Sequence, residues 1–170
     1  FRGGAVRCEL DYGVIVPRVP DAAGAGRPVA SVTVDELTAV VVNWGTPDLT
    51  IRSVRALLGD GVPAARVVVV DNGSADDSFE RFQGELPACV LVRLAENVGY
   101  ARAANEGARR LTGKAYLFVN NDAFVHREGT VRALLRDLGR ERVGIVVPRI
   151  LNDDLTLQPR IKPRIVALVS

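Results

Sequence analysis

One apolar run in this sequence ends abruptly in polar side chains that could do chemistry. Residues 116–119 are strand-forming, and Asn120, Asn121 and Asp122 follow at once. In open α/β sheets, ligands bind beyond the carboxyl ends of the strands. Asp122 offers the hard oxygen that suits Mg²⁺ or Mn²⁺, ions that proteins bind through one or two carboxylates plus substrate phosphates. The alternative is a plain strand-to-helix turn, because Asn and Asp favour turns.

Three further apolar runs end in the same manner. One ends at Asn43 and Trp44, the next at residues 71–74, and the third leads into Asn97 and Gly99. The carboxyl ends of parallel strands open on the same edge of a sheet, so we expect these groups to converge. Together they predict a site with many hydrogen-bonding groups and few charges.

The elements that must position these residues alternate along the chain. The pattern predicts strands over residues 38–43, 66–71, 89–94, 115–120 and 143–147, and amphipathic helices over 51–58, 76–82, 99–111 and 128–138. This alternation predicts an α/β fold with a Rossmann-like, mainly parallel sheet and flanking helices. A short hairpin is expected over 150–157. Residues 1–36 read as an irregular N-terminal arm or linker, with one strand over 8–16.

Composition excludes several classes of protein. The 170 residues are 48% hydrophobic and 25% charged, as in ordinary globular domains, and the net charge is +2. With 5% aromatic residues, neither a basic field nor a stacking platform for nucleic acid is indicated. The two cysteines, Cys8 and Cys89, suggest no disulfide framework, which is typical of a cytoplasmic protein. Cys89 is expected to be a small core residue.

Common catalytic motifs are missing from the sequence. It has no Walker phosphate loop, no Gly-x-Gly-x-x-Gly after the first strand and no Gly-x-Ser-x-Gly elbow. Its one histidine, His126, has no partner for a zinc site. The acids and amides at the strand ends instead suit a ligand whose phosphates are bridged by a cation.

Four segments occur in a recognisable order: residues 40–44, residues 70–76, residues 96–101 with Asn105 and Gly107, and residues 120–122. This order resembles the family-2 glycosyltransferases of the GT-A fold, on the bacterial rhamnosyltransferase-like branch. The resemblance covers about residues 38–160. It implies inverting transfer of a sugar from dTDP-rhamnose or a UDP-sugar to a glycan or lipid-linked acceptor, as in polysaccharide biosynthesis. A lipid-linked acceptor would bring the protein near a membrane surface.

The resemblance also implies roles for single residues. Asp71 would accept a hydrogen bond from the base imide, Asn120 would face the ribose or sugar, and Asp122 would hold the Mg²⁺ or Mn²⁺ that bridges the two phosphates. Gly99 would allow close backbone approach to the nucleotide. The implied nucleotide-sugar-binding residues are Val42, Asn43, Trp44, Asp71, Asn72, Gly73, Asn97, Gly99, Asn105, Asn120 and Asn121.

Two departures from the family pattern stand out. Asn120 replaces the usual first acid of the Asp-x-Asp motif, so weak metal binding is expected without nucleotide. The family's acceptor half and its catalytic base, usually an Asp or Glu, follow the region that corresponds to residues 150–160. We therefore expect residues 37–160 to be a donor-binding domain, 161–170 to start an acceptor-side segment, and the base to lie beyond residue 170. Asp153 and Asp154 read as a hairpin tip.

Two other interpretations fit parts of the pattern. The chain could be a non-catalytic nucleotide-sugar-binding module that another polypeptide completes. A flavodoxin-like receiver domain fits the alternation of strands and helices. Such a domain requires clustered acidic residues at the end of the first strand, where this chain has Asn43 and Trp44.

Overall fold

The computed structural model of this chain describes residues 14–17, 31–141, 143–152 and 154–158. Within these ranges five strands form one sheet in the order β1-β5-β2-β3-β4. The strands are β1 (Val14–Pro17), β2 (Leu37–Asn43), β3 (Val67–Asp71), β4 (Val90–Arg93) and β5 (Ala115–Asn120). Neighbours are parallel except that β1 runs antiparallel to β5.

Helices cover both faces of the sheet. They are α1 (Pro47–Gly59), α2 (Ser78–Glu85), α3 (Tyr100–Ala108) and α4 (Thr130–Leu138). Helices α1, α2 and α4 pack on one face, where Val41 and Val69 lie in the larger core cluster. Helix α3 packs on the other face, over Val40 and Val70. The four-stranded parallel sheet between two helical layers confirms the Rossmann-like α/β architecture expected from the sequence.

The central strands are uniform apolar runs because both of their faces are covered. Every residue of β2 and of β3 is buried. Strands that are buried on both sides read as continuous hydrophobic sequence rather than as alternation. Gly107 of α3 shows how closely a helix approaches the sheet, since a Cβ there would lie 2.5 Å from a methyl group of Val40 and 2.8 Å from one of Val70.

The prediction of a strand over residues 143–147 is wrong. This segment forms a single-residue bridge at Val146 but no strand, and Ile145 and Val147 are exposed. The outer edge of β5, where a further strand could pair, is occupied by β1 along the register from Val14↔Phe118 to Pro17↔Ala115. An apolar run therefore did not suffice to make a strand.

Other element predictions differ mainly at their ends. Helix α3 ends at Ala108 rather than near residue 111, and α2 begins at Ser78 rather than at residue 76. Cys89 lies just before β4 and is half-buried. The hairpin over residues 150–157 is confirmed by the antiparallel bridge between Leu151 and Leu157. Of the strand predicted over 8–16, residues 8–13 lie outside the described residues, as does Cys8. No described helix is long and apolar enough to cross a bilayer.

Candidate functional site

The candidate site lies at the carboxyl edge of the sheet, around the end of β2. Strand β2 pairs with β3 on one side and with β5 on the other, so Asn43 is beside Asp71, and Val42 is beside Asn120. The connection after β2 leads towards β3, whereas β5 returns to the opposite side of β2. Such a reversal in strand order opens a crevice at the carboxyl edge. Helices α1 and α3 both begin at this edge.

Asn43 and Asp71 form the buried floor of the site. Both are at most 1% exposed. The Asn43 amide donates to Asp71 Oδ1 at 3.1 Å and to Ser74 Oγ at 3.0 Å, and the Ser74 hydroxyl donates to the same Asp71 oxygen. Ser74 also accepts from the Gly45 backbone N–H at 3.0 Å. These bonds join the loops that follow β2 and β3.

The second carboxylate oxygen of Asp71 is used differently. Oδ2 is buried and has no hydrogen-bond partner among the described residues. The Arg93 guanidinium lies 4.0 Å from it and pairs more closely with Glu80, at 2.8 Å. Arg93 also lies over the Phe79 ring. Asp71 therefore keeps one unbonded acceptor beside a cation that the sequence did not single out.

The segment before α3 is joined to the end of β3 by contacts of Asn72, Gly73 and Asn97. The Asn72 amide donates to Asn97 Oδ1 at 3.0 Å and its Oδ1 accepts from the Val98 N–H at 3.0 Å. Asn97 Oδ1 accepts in addition from the Gly99 N–H at 2.9 Å. Gly73 has φ +71°, and a Cβ on it would lie 2.7 Å from the Asn97 nitrogen. This glycine serves contact between two protein loops.

The turn after β5 is held against the first two turns of α1. The Asn121 amide donates to Thr46 Oγ1 at 2.6 Å and to Thr50 Oγ1 at 3.1 Å. As the register partner of Val42, Asn120 lies on the face that α3 covers. The polar turn thus bridges the space between α1 and α3.

Asp122 lies close enough to Tyr100, the first residue of α3, to influence its titration. Burial raises the pKa of the Tyr100 hydroxyl, and the negative charge of Asp122 raises that pKa further. Tyr100 is 45% exposed. Tyr100 belongs to the motif over residues 96–101, but no role of its side chain was predicted from the sequence.

The structure leaves some of the expected residues outside this hydrogen-bonded group. Trp44 is 63% exposed beside it, and Val42 lies in the core beneath α3. Asn105 lines a concavity of about 290 Å³ with the end of α3 and Tyr116, which is near the start of β5. Gly99 has φ +82° with open space around its Cα, so backbone conformation is what demands glycine there.

The protein side chains at this edge could bind one divalent cation only if a bound substrate supplied further oxygen ligands. The described residues contain no group of three or more His, Cys, Asp or Glu side chains that could hold a metal. Mg²⁺ commonly uses one or two carboxylates and takes its remaining ligands from phosphates and water. Asp122, at the rim of the crevice, fits that mode of binding.

The hairpin carboxylate of Asp154 bonds locally rather than to the edge group. Asp154 Oδ1 accepts from the Thr156 N–H at 3.0 Å and from the Thr156 hydroxyl at 2.6 Å. Its carboxylate therefore stabilises the hairpin turn. Asp153 lies outside the described residues.

A family model described as glycosyl transferase family 2 matches residues 38–165. The chain belongs to this family. The GT-A fold expected from the sequence is thereby confirmed for the family 2 domain. No curated protein matches the chain significantly.

Solved structures also match the domain. Staphylococcus aureus TarS, residues 1–349, has 21% identity and a TM-score of 0.49, covering 60% of this chain and 32% of that one. TarS has also been solved in complex with UDP, with 20% identity and a TM-score of 0.48. The mannosyltransferase PcManGT from Pyrobaculum calidifontis, in complex with GDP-Man and Mn²⁺, has 23% identity and a TM-score of 0.49, covering 67% and 34%. The chain spans about a third of the length of these structures.

Proposed function

We propose that this family 2 domain binds a nucleoside diphosphate sugar at the carboxyl edge of its sheet and takes part in transferring the sugar. One observation carries the proposal. Polar groups from four separate strand ends meet at this edge, and Asp122 supplies a carboxylate beside the crevice at the end of β2. Family membership supports the same reaction class.

The finer proposal follows the order of the sequence motifs. The donor is dTDP-rhamnose or a UDP-sugar, and the acceptor is a glycan or a lipid-linked glycan. Transfer inverts the configuration at the anomeric carbon, as on the rhamnosyltransferase-like branch. Such an enzyme would serve polysaccharide biosynthesis in the cytoplasm. Inversion requires the acceptor oxygen to attack the sugar from the face opposite the departing diphosphate.

The floor of the site would recognise the base. Asp71 Oδ2 is the only oxygen of that carboxylate without a hydrogen bond among the described residues, and a base imide N–H could donate to it. This oxygen is buried in the structure. Entry of a base therefore requires a side chain to move, and Arg93, half-exposed and 4.0 Å from Oδ2, is the residue placed to do so.

The rim of the site would hold the diphosphate. Helices α1 and α3 begin at this edge, and the N-cap residues of both make no side-chain capping hydrogen bond to the first backbone N–H groups. Helix N-termini favour anions through these groups and through the helix dipole. Asp122 would hold Mg²⁺ or Mn²⁺, which as a Lewis acid stabilises the charge on the departing diphosphate. The negative charge of this carboxylate helps to raise the pKa of the Tyr100 hydroxyl.

Asp122→Ala tests the proposal. Titration calorimetry of the 170-residue chain with UDP, dTDP and GDP, each with and without Mn²⁺, should reveal nucleotide binding that Mn²⁺ strengthens. Asp122→Ala should lose the Mn²⁺-dependent part, on the order of 10- to 100-fold in affinity. Asp154→Ala removes a carboxylate from the hairpin and should bind as the wild type does. If none of the nucleotides binds, or if Asp122→Ala keeps its Mn²⁺ dependence, the proposal is overturned.

A further inference from the structure

An uninterrupted series of side-chain hydrogen bonds joins the two halves of the proposed site. Asn43 Nδ2 donates to Asp71 Oδ1 at 3.1 Å, Thr50 Oγ1 donates to Asn43 Oδ1 at 2.8 Å, and Asn121 Nδ2 donates to Thr50 Oγ1 at 3.1 Å. We call these four residues the buried relay. It runs from the loop after β3, past β2 and α1, to the turn after β5.

Burial makes the relay stiff. Asp71, Asn43 and Thr50 are each at most 1% exposed, and Asn121 is half-buried. Water cannot easily replace a hydrogen bond at such positions, so a missing partner leaves an unsatisfied polar group. The relay thus adds side-chain bonds between two ends that the pairing of β2 with β3 and with β5 already brings together.

The N–H groups of the two carboxamides in the relay donate hydrogen bonds to protein groups. Both N–H groups of Asn43 are directed at Asp71 and Ser74. Both N–H groups of Asn121 are directed at hydroxyl groups, one of the α1 N-cap and one within α1. The sequence resemblance implies that these carboxamides line the nucleotide site, and in this structure their donors are directed at protein groups there.

Thr50 is the central member of the relay. Its hydroxyl is the only link between Asn43 and Asn121 in the series, because it donates to one and accepts from the other. Neither the apolar spacing of α1 nor any motif indicated a role for it. A buried hydroxyl that joins two strand-end amides sets the position of each relative to the other.

We propose that Thr50, with Asn43 and Asn121, is a positioning residue that holds the Asp122 turn at a fixed distance from Asp71. This inference rests on the proposed function, in which Asp71 meets the base and Asp122 meets the diphosphate through a cation. The relay lets one rigid ligand engage both ends at once. Its loss should affect ligands that span both ends more than ligands that occupy one.

Thr50→Val is the test, because valine keeps the shape and removes the hydroxyl. The wild type and the variant are titrated with UDP or dTDP plus Mn²⁺, and with uridine or thymidine, which lack the diphosphate. Thr50→Val should lower the affinity for the Mn²⁺–diphosphate ligand by roughly fivefold to tenfold and leave the nucleoside affinity unchanged. Thr50→Ser retains a hydroxyl and should restore the affinity.

Ser53→Ala is the matched control. Ser53 lies on the same helix, is 1% exposed, and its hydroxyl has no hydrogen-bond partner among the described residues. Removing it deletes a buried hydroxyl outside the relay. Its affinity for both ligands should equal that of the wild type.

Amide hydrogen exchange of the free protein tests the relay without any ligand. The Asn72 N–H donates to Asn43 O at 2.9 Å, and the Ala123 N–H donates to Asn120 O at 3.1 Å. Thr50→Val should speed exchange of both amides, and Ser53→Ala should not. If Thr50→Val leaves the exchange of both amides unchanged, or lowers nucleoside and diphosphate affinity equally, the relay proposal is overturned. A wild type that binds no nucleotide overturns the proposed function alone, since the exchange result still decides the relay.

Discussion

Gly73 lies where the loop after β3 touches the backbone of residues 96 and 97. Its φ of +71° falls in the left-handed region that residues with a side chain rarely adopt. A Cβ would lie 2.7 Å from the Asn97 nitrogen and closer still to two backbone carbons of Glu96. Since backbone atoms cannot rotate away, any side chain at this position must separate the two loops.

Gly73→Ala should therefore destabilise the domain by about 2–4 kcal/mol, from the left-handed backbone and the overpacking together. Chemical denaturation of the two proteins measures the difference. Gly84→Ala is the control, because Gly84 lies within α2 and nothing is near its Cα. That change should stabilise by up to about 1 kcal/mol. Equal stability of Gly73→Ala and the wild type would contradict the loop contact.

The residue types at the site could be read from the sequence, but their partners could not. The motif containing Asp71 and the one containing Asp122 were both recognisable. That Asn43 and Asn121 are linked through a threonine of α1 depends on the spatial order of strands. A threonine on an amphipathic helix carries no local signal that distinguishes a buried bond from a neutral surface position.

At the scale of elements, the N-terminus of α4 is capped by the carboxylate of the residue that ends α1. Asp60, the C-terminal cap of α1, is 5% exposed. It accepts hydrogen bonds from the backbone N–H groups of Gly129 and of Val131, the latter at 2.7 Å. They are the N–H groups of the α4 N-cap and of its second residue, which have no partner within the helix. The bonds anchor the segment that follows the Asp122 turn.

Asp60→Ala should cost about 1–3 kcal/mol in unfolding free energy, because two N–H groups of α4 lose a charged acceptor. Asp60→Asn keeps one acceptor oxygen and should lose less. Thermal or urea unfolding of the wild type and the two variants measures their relative stabilities. If Asp60→Ala and Asp60→Asn are both as stable as the wild type, the cap has no role in stability.

The central strands were the most predictable elements, and the wrong strand prediction fell on a peripheral segment. The valine runs of β2 and β3 specify buried strands because few other structures hide so many β-branched residues. Residues 143–147 are similarly apolar, yet they form no strand: β1 occupies the outer edge of β5, and the segment does not extend the sheet beyond β4. Local sequence does not report which sheet edge, if any, a segment will meet.

At the scale of the whole molecule, the amino edge of the sheet is closed by contacts between distant segments. The Lys114 N–H donates to Glu36 O at 2.8 Å, and the two side chains form an ion pair. Arg66 donates to Leu37 O at 2.7 Å and to Thr112 O at 3.1 Å. These bonds hold the starts of β2 and β5 beside each other, opposite the site.

The Glu36 pair predicts a pH-dependent contribution to stability. The hydrogen bond from Lys114 and the backbone bond from Thr33 lower the pKa of Glu36 from its usual 4.5. A carboxyl whose pKa is lower in the folded state stabilises the fold above the pKa of the unfolded chain. That contribution is lost as the pH falls through the lower, folded pKa. Glu36→Gln should therefore be less stable than the wild type at pH 7, and the gap should shrink in acid.

Unfolding free energies from pH 7 down to pH 3 measure this gap. Added salt should narrow it at pH 7, since both side chains are partly exposed and the ion pair is screened. Glu106→Gln removes a carboxylate whose ion-pair partner among the described residues is Arg109, the C-terminal cap of its own helix, and serves as a control. A gap that is constant across the pH range would contradict the assigned role of Glu36.

The sequence by itself determined the α/β class, the four parallel strands, the helices between them and the polar residues at the strand ends. Hydrophobic period and turn residues are local properties, so they can be read along the chain. Only the tertiary structure decided that β1 closes the edge of β5, that Asp71 lies buried beside Arg93, and that Thr50 links Asn43 to Asn121. These features depend on which distant segments become neighbours, and a one-dimensional pattern does not encode that choice.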